Sequence, residues 1–92
     1  MNSNNTYCVY LLECHDGSYY CGITIDMQQR LKQHNAGTAS RYTRGRCPVK
    51  VRARTPNCYS KSKALQLEHQ VKKCPKHKKS EKMASLNKNI AH

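Results

Sequence analysis

Apolar and polar residues alternate in two short segments near the start of the chain, and a turn separates the segments. Residues 7–14 and 18–25 each have the alternation of a strand. Odd-numbered positions are mostly apolar in both segments, so they are predicted to share the core face. A three-residue loop, 15–17, keeps odd positions opposite odd positions, whereas a two-residue loop does not. The pattern therefore predicts a β-hairpin with Gly17 in the left-handed conformation at its turn.

This register places Tyr10 opposite Gly22 and Leu12 opposite Tyr20. Tyr10 and Tyr20 then stand as diagonal neighbours on the less apolar face, and the glycine leaves room beside the Tyr10 ring. Two half-buried strand tyrosines beside a bulge glycine explain the same residues equally well. The hairpin alone therefore leaves open whether the two tyrosines are structural or functional.

The next segment has the period of a helix over about residues 26–35, with an aspartate at its first position as the cap. Met27 and Leu31 are predicted to face inward. Arg30 and His34 are four residues apart, so they lie on one face of this helix, one turn from each other. Taken by itself, this pair is better interpreted as a solvated arginine and a histidine at a helix end.

Residues 36–48 are predicted to form a loop, and residues 49–55 a third strand with one basic face. Arginines surround one tyrosine in the loop, which suits a segment that grips phosphates and offers a ring for stacking. An ordinary exposed loop is the alternative, and the density of arginine argues against it. The candidate nucleic-acid-binding residues are Arg41, Tyr42, Arg44, Arg46, Arg52 and Arg54.

A second helix is predicted from about residue 60 to residue 74, with a serine at position 60 or 62 as its cap. Its inward stripe includes Leu67 and Val71, and Glu68 lies on the same buried side. A lone inward carboxylate is costly unless it is paired or binds a metal ion. A salt bridge to a neighbouring arginine is therefore the structural alternative. The last segment, 75–92, is predicted to form a short helix that docks weakly.

The chain has 92 residues, which suits one domain with a modest core. We expect a single domain over residues 1–92, with its core at about 6–80 and a basic C-terminal tail at about 75–92. Seventeen Lys and Arg oppose five Asp and Glu, and residues 27–67 hold ten of the basic residues and no carboxylate. This excess favours a polyanionic partner over the alternative, a generically soluble basic protein.

Other classes of protein are disfavoured by the same sequence. No apolar run is long enough to cross a membrane and the first residues lack the pattern of a signal peptide, so we expect a cytoplasmic protein without membrane contact. The six cysteines raise two hypotheses, a disulfide framework, which needs export, and a structural zinc site, for which Cys74-x-x-His77 is the only tight pair. Free thiols that serve as small apolar residues are the favoured interpretation.

The candidate residues occur in the order of the GIY-YIG nuclease superfamily, which the chain resembles over about residues 7–80. The residues that carry the resemblance are Val9-Tyr10, Tyr20-Cys21-Gly22, Arg30, His34 and Glu68. Each short motif alone is weakly specific, whereas the ordered set is strongly specific. Three longer stretches, 16–24, 33–37 and 42–49, resemble the small stand-alone bacterial members, which are related to the Slx-type structure-specific endonucleases.

The resemblance implies an α+β fold in which a three-stranded antiparallel sheet, with the chain order β-β-α-β-α, is flanked by helices. It also implies hydrolysis of phosphodiester bonds in DNA with a single divalent metal ion, Mg²⁺ or Mn²⁺. The residues implied to be catalytic are Tyr10, Tyr20, Arg30, His34 and Glu68, with Glu68 as the metal ligand and Gly22 as the structural glycine.

The chain departs from the family pattern at three places. The first motif lacks its glycine and isoleucine, and Cys21 replaces the isoleucine of the second motif. Some restriction-enzyme members carry an asparagine late in the domain, and Ser80 lies at about that position. The first two departures keep the tyrosines, and the third leaves the anchoring of the phosphate in question.

The implied site residues suit the chemistry of phosphodiester cleavage. Arg30 would bind a phosphate oxygen, and Tyr10 would position or deprotonate the attacking water, for which its phenol needs a nearby cation to lower its pKa. His34 is either an alternative base or a phosphate donor. A catalytically idle nucleic-acid-binding module is the alternative function. So short a chain is expected to recognise the shape or backbone of DNA, including branched or damaged DNA, or to rely on a protein partner.

Overall fold

The computed structural model describes residues 6–90, which form three strands and four helices. The elements are β1 (Cys8–Glu13), β2 (Tyr19–Thr24), α1 (Met27–Asn35), α2 (Arg41–Arg44), β3 (Lys50–Arg54), α3 (Lys61–Lys73) and α4 (Lys76–Ile90). The strands pair antiparallel in the order β2-β1-β3. The predicted α+β fold is confirmed. The single domain expected over 1–92 stays a prediction, and its ends, 1–5 and 91–92, lie outside the described residues.

The hairpin of β1 and β2 has the register that the alternation predicts. Tyr10 pairs with Gly22, and Leu12 pairs with Tyr20. Gly17 closes the turn with a φ of 85°, a left-handed conformation that a residue with a Cβ adopts at a cost. The turn chemistry and the apolar face therefore agree on one register, and this register determines which side chains meet in the site.

Both faces of the sheet are buried, which corrects the prediction of one core face and one less apolar face. The odd face packs on α3 and α4 in a cluster that includes Val9, Leu11, Cys21, Leu67, Val71 and Met83. The even face forms a second cluster that includes Cys8, Tyr10, Leu12, Met27 and Val49. Tyr10 is only 2% exposed, because α1 and the start of β3 cover the face from which it projects.

The third strand carries a bulge that the alternation did not predict. Val51 pairs with Leu12 and Ala53 pairs with Leu11, with a register shift between these pairs. Val51 therefore packs against the even-face cluster, whereas Ala53 packs against the odd-face cluster. Because an extra residue reverses the facing of those that follow, the prediction of one continuous basic face on β3 is wrong.

The helices begin at capping side chains. Asp26 accepts a hydrogen bond from the backbone N–H of Gln29 at 3.1 Å and begins α1, and Ser60 accepts one from the N–H of Lys63 at 3.1 Å and begins α3. Both starts match the sequence prediction. The segment predicted as a loop contains a short helix, α2, that begins at Ser40.

The last helix is longer and more deeply packed than predicted. It extends over fifteen residues, and Met83 and Leu86 are buried in the odd-face cluster at 0% and 5% exposure. Complete burial of such side chains contributes about 1.5–3 kcal/mol each, so weak docking is the wrong description. No helix among residues 6–90 is long and apolar enough to span a membrane.

Candidate active site

One pocket of about 160 Å³ brings together every residue that the sequence placed in a catalytic role. Its lining consists of Tyr10, Tyr20, Gly22, Ile23, Arg30, His34, Ala39, Leu65 and Glu68. These residues come from β1, β2, α1, the segment before α2, and α3. A larger groove of about 620 Å³ lies on α3 and contains no carboxylate or tyrosine in its lining. The smaller pocket is therefore the candidate active site.

A row of buried hydrogen bonds forms the floor of the pocket. The Tyr10 hydroxyl lies 2.9 Å from Nε2 of His34, and Nδ1 of His34 lies 2.8 Å from Oγ1 of Thr43. The Thr43 hydroxyl donates to the carbonyl oxygen of Ser40 at 3.4 Å. His34 stands near the end of α1, as its position predicted, and it is 1% exposed, so it is a buried member of the site.

Loss of solvation is the main influence on the pKa values of Tyr10 and His34. Burial raises the pKa of Tyr10, and Arg30 opposes that rise without overcoming it. Arg30 alone therefore does not bring the pKa of Tyr10 below its usual value, and lowering by a bound metal ion stays a prediction. Burial, and then Arg30, lower the pKa of His34 below its usual value, which leaves the imidazole neutral at neutral pH. A neutral imidazole can accept a proton from the phenol beside it.

Gly22 provides the room that the Tyr10 ring occupies. A Cβ placed on Gly22 would stand 2.5 Å from the Tyr10 hydroxyl oxygen and 2.6 Å from its Cζ. Real Cβ atoms essentially never approach other atoms so closely. A residue without a side chain is therefore required opposite Tyr10, as the register predicted.

Glu68 reaches the pocket from the inward edge of α3. Its side chain is 18% exposed, and its Oε2 lies 3.4 Å from Nζ of Lys72, one turn further along the helix. The pairing partner is a lysine and not the arginine that the structural alternative proposed. Pairs of this kind on a helix surface contribute about 0.3–0.5 kcal/mol, so the contact with Lys72 is a weak reason for a carboxylate at this position.

Tyr20 lies between the floor and the rim of the pocket. Its ring meets His34 edge-on at a centroid distance of 5.2 Å and stacks with Tyr42 at 5.8 Å. The ammonium of Lys72 lies 5.7 Å from the Tyr20 ring centroid. The aromatic contacts hold Tyr20 while its position at the pocket lining leaves it accessible from the cavity.

Arg30 is half-buried at the pocket wall. One of its terminal nitrogens, Nη1, donates to the side-chain oxygen of Gln33 at 3.3 Å. The guanidinium has five N–H donors, so one such bond leaves others for a ligand in the pocket. Arg30 and His34 lie on one face of α1, as their spacing predicted, and both line the same pocket.

The predicted nucleic-acid-binding arginines fall into two groups, and Tyr42 stands apart from both. Two are held by internal contacts, since Arg46 binds Asp16 at 3.0 Å and lies 4.0 Å over the Tyr42 ring, and Arg54 donates to Asn57 at 2.7 Å. Arg41, Arg44 and Arg52 are exposed. The Tyr42 ring is 37% exposed but is already in contact with Tyr20 and Arg46, which limits the stacking that the loop was expected to offer.

Two residues of the site were missed from sequence. Thr43 is completely buried and binds His34, and Lys72 lies beside Glu68 and Tyr20. For Lys72 a sequence signal existed, because it stands four residues after Glu68. For Thr43 the signal was only its place in the stretch 42–49, since its contact with His34 depends on how α2 folds back onto α1. Ser80 lies on α4, which contributes no residue to the pocket lining within residues 6–90.

The cysteines are free thiols, and burial determines the state of three of them. Burial raises the pKa of Cys8 and Cys14, and it raises the pKa of Cys21 to about 12. A thiol that stays protonated is a poor metal ligand or nucleophile, so Cys21 acts as a small apolar residue in place of the motif isoleucine. Among residues 6–90, no three His, Cys, Asp or Glu side chains are grouped to hold a metal ion.

The fold, the pocket and the motif order agree with a comparison against known families. The profile described as GIY-YIG catalytic domain matches residues 6–83, and the chain therefore belongs to the GIY-YIG catalytic domain family, a family of nucleases. Among individual proteins it is similar to those named UPF0213. A UPF0213 protein of Halobacterium salinarum is 50% identical over 64 residues, which are 70% of this chain and 82% of the relative.

Two further relatives extend this similarity to bacteria and to a solved structure. A UPF0213 protein of Streptococcus pneumoniae is 44% identical over 73 residues, or 79% of this chain and 73% of the relative. The solution NMR structure of the UPF0213 protein BH0048 from Bacillus halodurans is 41% identical, covers 88% of this chain and 84% of its own, and has a TM-score of 0.51. The chain is thus similar to small stand-alone bacterial and archaeal proteins.

Proposed function

We propose that the protein is a metal-dependent endonuclease that hydrolyses phosphodiester bonds in DNA. The observation that carries the proposal is the pocket itself, where a carboxylate, an arginine, two tyrosines and a buried histidine converge in about 160 Å³. The net charge of +12 supports a polyanionic substrate. A site of this composition has the groups that phosphodiester cleavage requires.

Each side chain has a role that follows from its surroundings. Arg30 lines the pocket with donors to spare and would bind a non-bridging phosphate oxygen with a charge fixed at any working pH. Tyr10 would hold and deprotonate the attacking water. Because burial disfavours a free phenolate, Tyr10 would pass its own proton to His34 as it accepts one from the water. Tyr20 would orient the water or the phosphate by a hydrogen bond.

Glu68 is the residue that would hold a divalent metal ion, Mg²⁺ or Mn²⁺. The Glu68 carboxylate already has a cation as its neighbour, since Nζ of Lys72 lies 3.4 Å from Oε2 of Glu68, and this supports its suitability as a ligand for a positive ion. Hard divalent cations of this kind are commonly held by one or two carboxylates, with water and phosphate oxygens as the other ligands. When bound, the metal supplies charge neutralisation at the phosphate and the leaving oxygen.

A catalytically idle nucleic-acid-binding module is the second candidate function. The basic surface serves both functions equally, so the carboxylate discriminates between them. A pure binder gains nothing from a negative charge in a phosphate site, since Glu68 repels the ligand and its pairing with Lys72 stabilises the helix only slightly. Glu68 therefore favours the enzyme.

The test incubates plasmid, branched and flapped DNA with Mg²⁺ or Mn²⁺ and the wild-type protein, Glu68→Gln or Glu81→Gln. Glu81 is an exposed glutamate on α4, so its variant makes the same change of charge outside the pocket. Glu68→Gln should lose at least about 100-fold in cleavage and bind DNA as well as or better than wild type, whereas Glu81→Gln should cut normally.

Two results would contradict the proposal. If binding collapses together with cleavage in Glu68→Gln, the glutamate is structural. If no DNA is cut by the wild type with either metal ion while binding persists, the idle module is the better description. The comparison of branched, flapped and plasmid DNA also identifies the preferred shape of substrate. If the preparation is inactive, addition of cell extract tests whether cleavage needs a protein partner.

A further inference from the structure

We propose that Thr43 is a positioning residue that fixes the tautomer of His34, so that Nε2 of His34 is the atom that accepts the proton of the Tyr10 hydroxyl. The catalytic consequence of this inference rests on the proposed nuclease function, whereas the tautomer itself does not. Thr43 is not among the residues that the family resemblance implies to be catalytic, and it reaches His34 from a helix of only four residues.

The hydrogen bonds around His34 determine which ring nitrogen carries the proton. A neutral imidazole has one N–H and one lone pair, so its two neighbours must differ in role. The Thr43 hydroxyl donates its proton to the Ser40 carbonyl at 3.4 Å, and its oxygen is then an acceptor for the proton on Nδ1 at 2.8 Å. Nε2 is left as the acceptor for the Tyr10 hydroxyl at 2.9 Å.

The opposite tautomer satisfies fewer groups. With the proton on Nε2, the Tyr10 oxygen would accept that hydrogen bond, and its own proton would have no acceptor among residues 6–90. The Thr43 hydroxyl would also have to turn away from Ser40 toward Nδ1. The Tyr10 proton would then point at the attacking water in the pocket, and Tyr10 could not accept a proton from that water while it donates one to it.

The surroundings of Thr43 hold its side chain in this position. Thr43 is completely buried. Its carbonyl oxygen accepts hydrogen bonds from the backbone N–H of Arg46 at 2.9 Å and from the thiol of Cys47 at 3.2 Å. The same thiol approaches the carbonyl oxygen of His34 at 3.2 Å, which ties the end of α1 to the end of α2. These contacts and the burial hold the Thr43 hydroxyl beside Nδ1 of His34.

Protons pass from the attacking water through Tyr10 to His34. A water molecule gives one proton to the Tyr10 oxygen while Tyr10 gives its own proton to Nε2 of His34. The imidazolium that results keeps its Nδ1 proton on Thr43. The hydroxide forms a bond to phosphorus, the bond to the leaving oxygen breaks, the leaving oxygen takes up a proton from solvent, and the imidazolium afterwards returns its extra proton to solvent by way of Tyr10. A histidine turned to the other tautomer would have no lone pair facing Tyr10 and could not begin this transfer.

The test uses two-bond ¹⁵N–¹H correlation spectra of the imidazole rings in the full chain without DNA or metal. Wild-type His34 should show a protonated Nδ1 and an unprotonated Nε2. Thr43→Val has a similar shape but no hydroxyl and should shift His34 toward the Nε2-protonated form, and Thr43→Ser should restore the wild-type pattern. Thr55→Val is the matched control, because Thr55 is equally buried and its hydroxyl bonds with Val9 and Pro56.

Cleavage assays complete the test. Thr43→Val should lower kcat by about 100-fold with little change in KM, as expected when a general base is lost, and Thr43→Ser should recover most of it. A wild-type His34 protonated at Nε2 would overturn the inference even if Thr43→Val does not fold. An unchanged tautomer in Thr43→Val would also overturn it. If the wild-type protein cuts no DNA, the spectra still show which nitrogen of His34 is protonated. Failure of the nuclease proposal can therefore be distinguished from failure of the tautomer inference.

Discussion

Gly22 and Tyr10 are paired across the hairpin, and the Tyr10 hydroxyl occupies the space that a side chain on Gly22 would need. The distance of 2.5 Å from an added Cβ to the hydroxyl oxygen leaves no room for even a methyl group. The hydroxyl is also the atom that meets His34. The position of the glycine therefore determines the position of the phenolic oxygen in the pocket.

Gly22→Ala should displace the Tyr10 ring and break its hydrogen bond with His34. We expect a loss of about 1–3 kcal/mol in the free energy of unfolding, as for other overpacked cores, and a loss of most cleavage activity. Gly45→Ala is the control, since a Cβ there meets no atom within 4 Å. Urea denaturation and plasmid cleavage measure the two effects. Equal behaviour of both variants would show that the close contact at Gly22 is relieved without consequence.

Stability should depend on pH through His34. Burial and Arg30 lower the pKa of His34 in the folded protein below its value of 6.5 in the unfolded chain. The unfolded chain therefore binds a proton more readily, and the stability from neutral His34 is complete above pH 6.5 and is lost as pH falls through the folded pKa. The titratable or charged side chains that line the pocket together with His34 are those of Tyr10, Tyr20, Arg30 and Glu68.

His34→Gln should weaken this dependence. We expect the midpoint of urea denaturation to fall between pH 7.5 and pH 5 by less in His34→Gln than in wild type. His69→Gln removes an exposed histidine from α3 and should keep the wild-type response. The same fall in all three proteins would mean that His34 does not control the pH response.

Two arginines of the same segment should contribute differently to DNA binding. Arg41 is exposed, whereas the guanidinium of Arg46 binds the Asp16 carboxylate, the Tyr42 carbonyl oxygen at 2.7 Å and the Tyr42 ring. Arg41→Gln should reduce the slope of log K against log salt by about 0.9 if one phosphate contact is lost. Arg46→Gln should change the slope less, since its charge is already engaged.

Fluorescence anisotropy with one labelled duplex over a range of salt concentrations measures both slopes. An equal reduction in the two variants would show that Arg46 leaves Asp16 to bind phosphate. A slope near zero in the wild type would contradict the phosphate surface as a whole, because neutralised phosphates release counterions in proportion to the contacts made.

Local pattern was sufficient for the hairpin and for the helical faces. The register follows from turn length and alternation, both short-range properties, so the meeting of Tyr10 with Gly22 was predictable. Arg30 and His34 share a face because of helical spacing alone. Local pattern does not show which element packs against a given face of a strand or helix, because that element comes from a distant part of the chain.

The wrong expectations have this same origin. The even face of the hairpin looks less apolar because it carries Ser18, Gly22 and Thr24, yet Met27 and Val49 cover it. The burial of Met83 depends on α4 returning to the sheet across thirty or more residues, and the contact of Thr43 with His34 depends on a turn of the chain between two helices. The bulge in β3 is likewise a feature of its pairing with β1, which the alternation within β3 does not reveal.

Glu68 enters the pocket from α3, whereas Tyr10, Tyr20, Arg30 and His34 all precede β3 in the chain. A nascent chain that has left the ribosome only as far as β3 carries the hydroxyl, guanidinium and imidazole groups of the pocket but no carboxylate. The carboxylate arrives only when α3 buries its inward stripe against the odd face of the sheet. Under the proposed function, the pocket therefore has no metal ligand until α3 packs on the sheet, and a chain without α3 would cut no DNA.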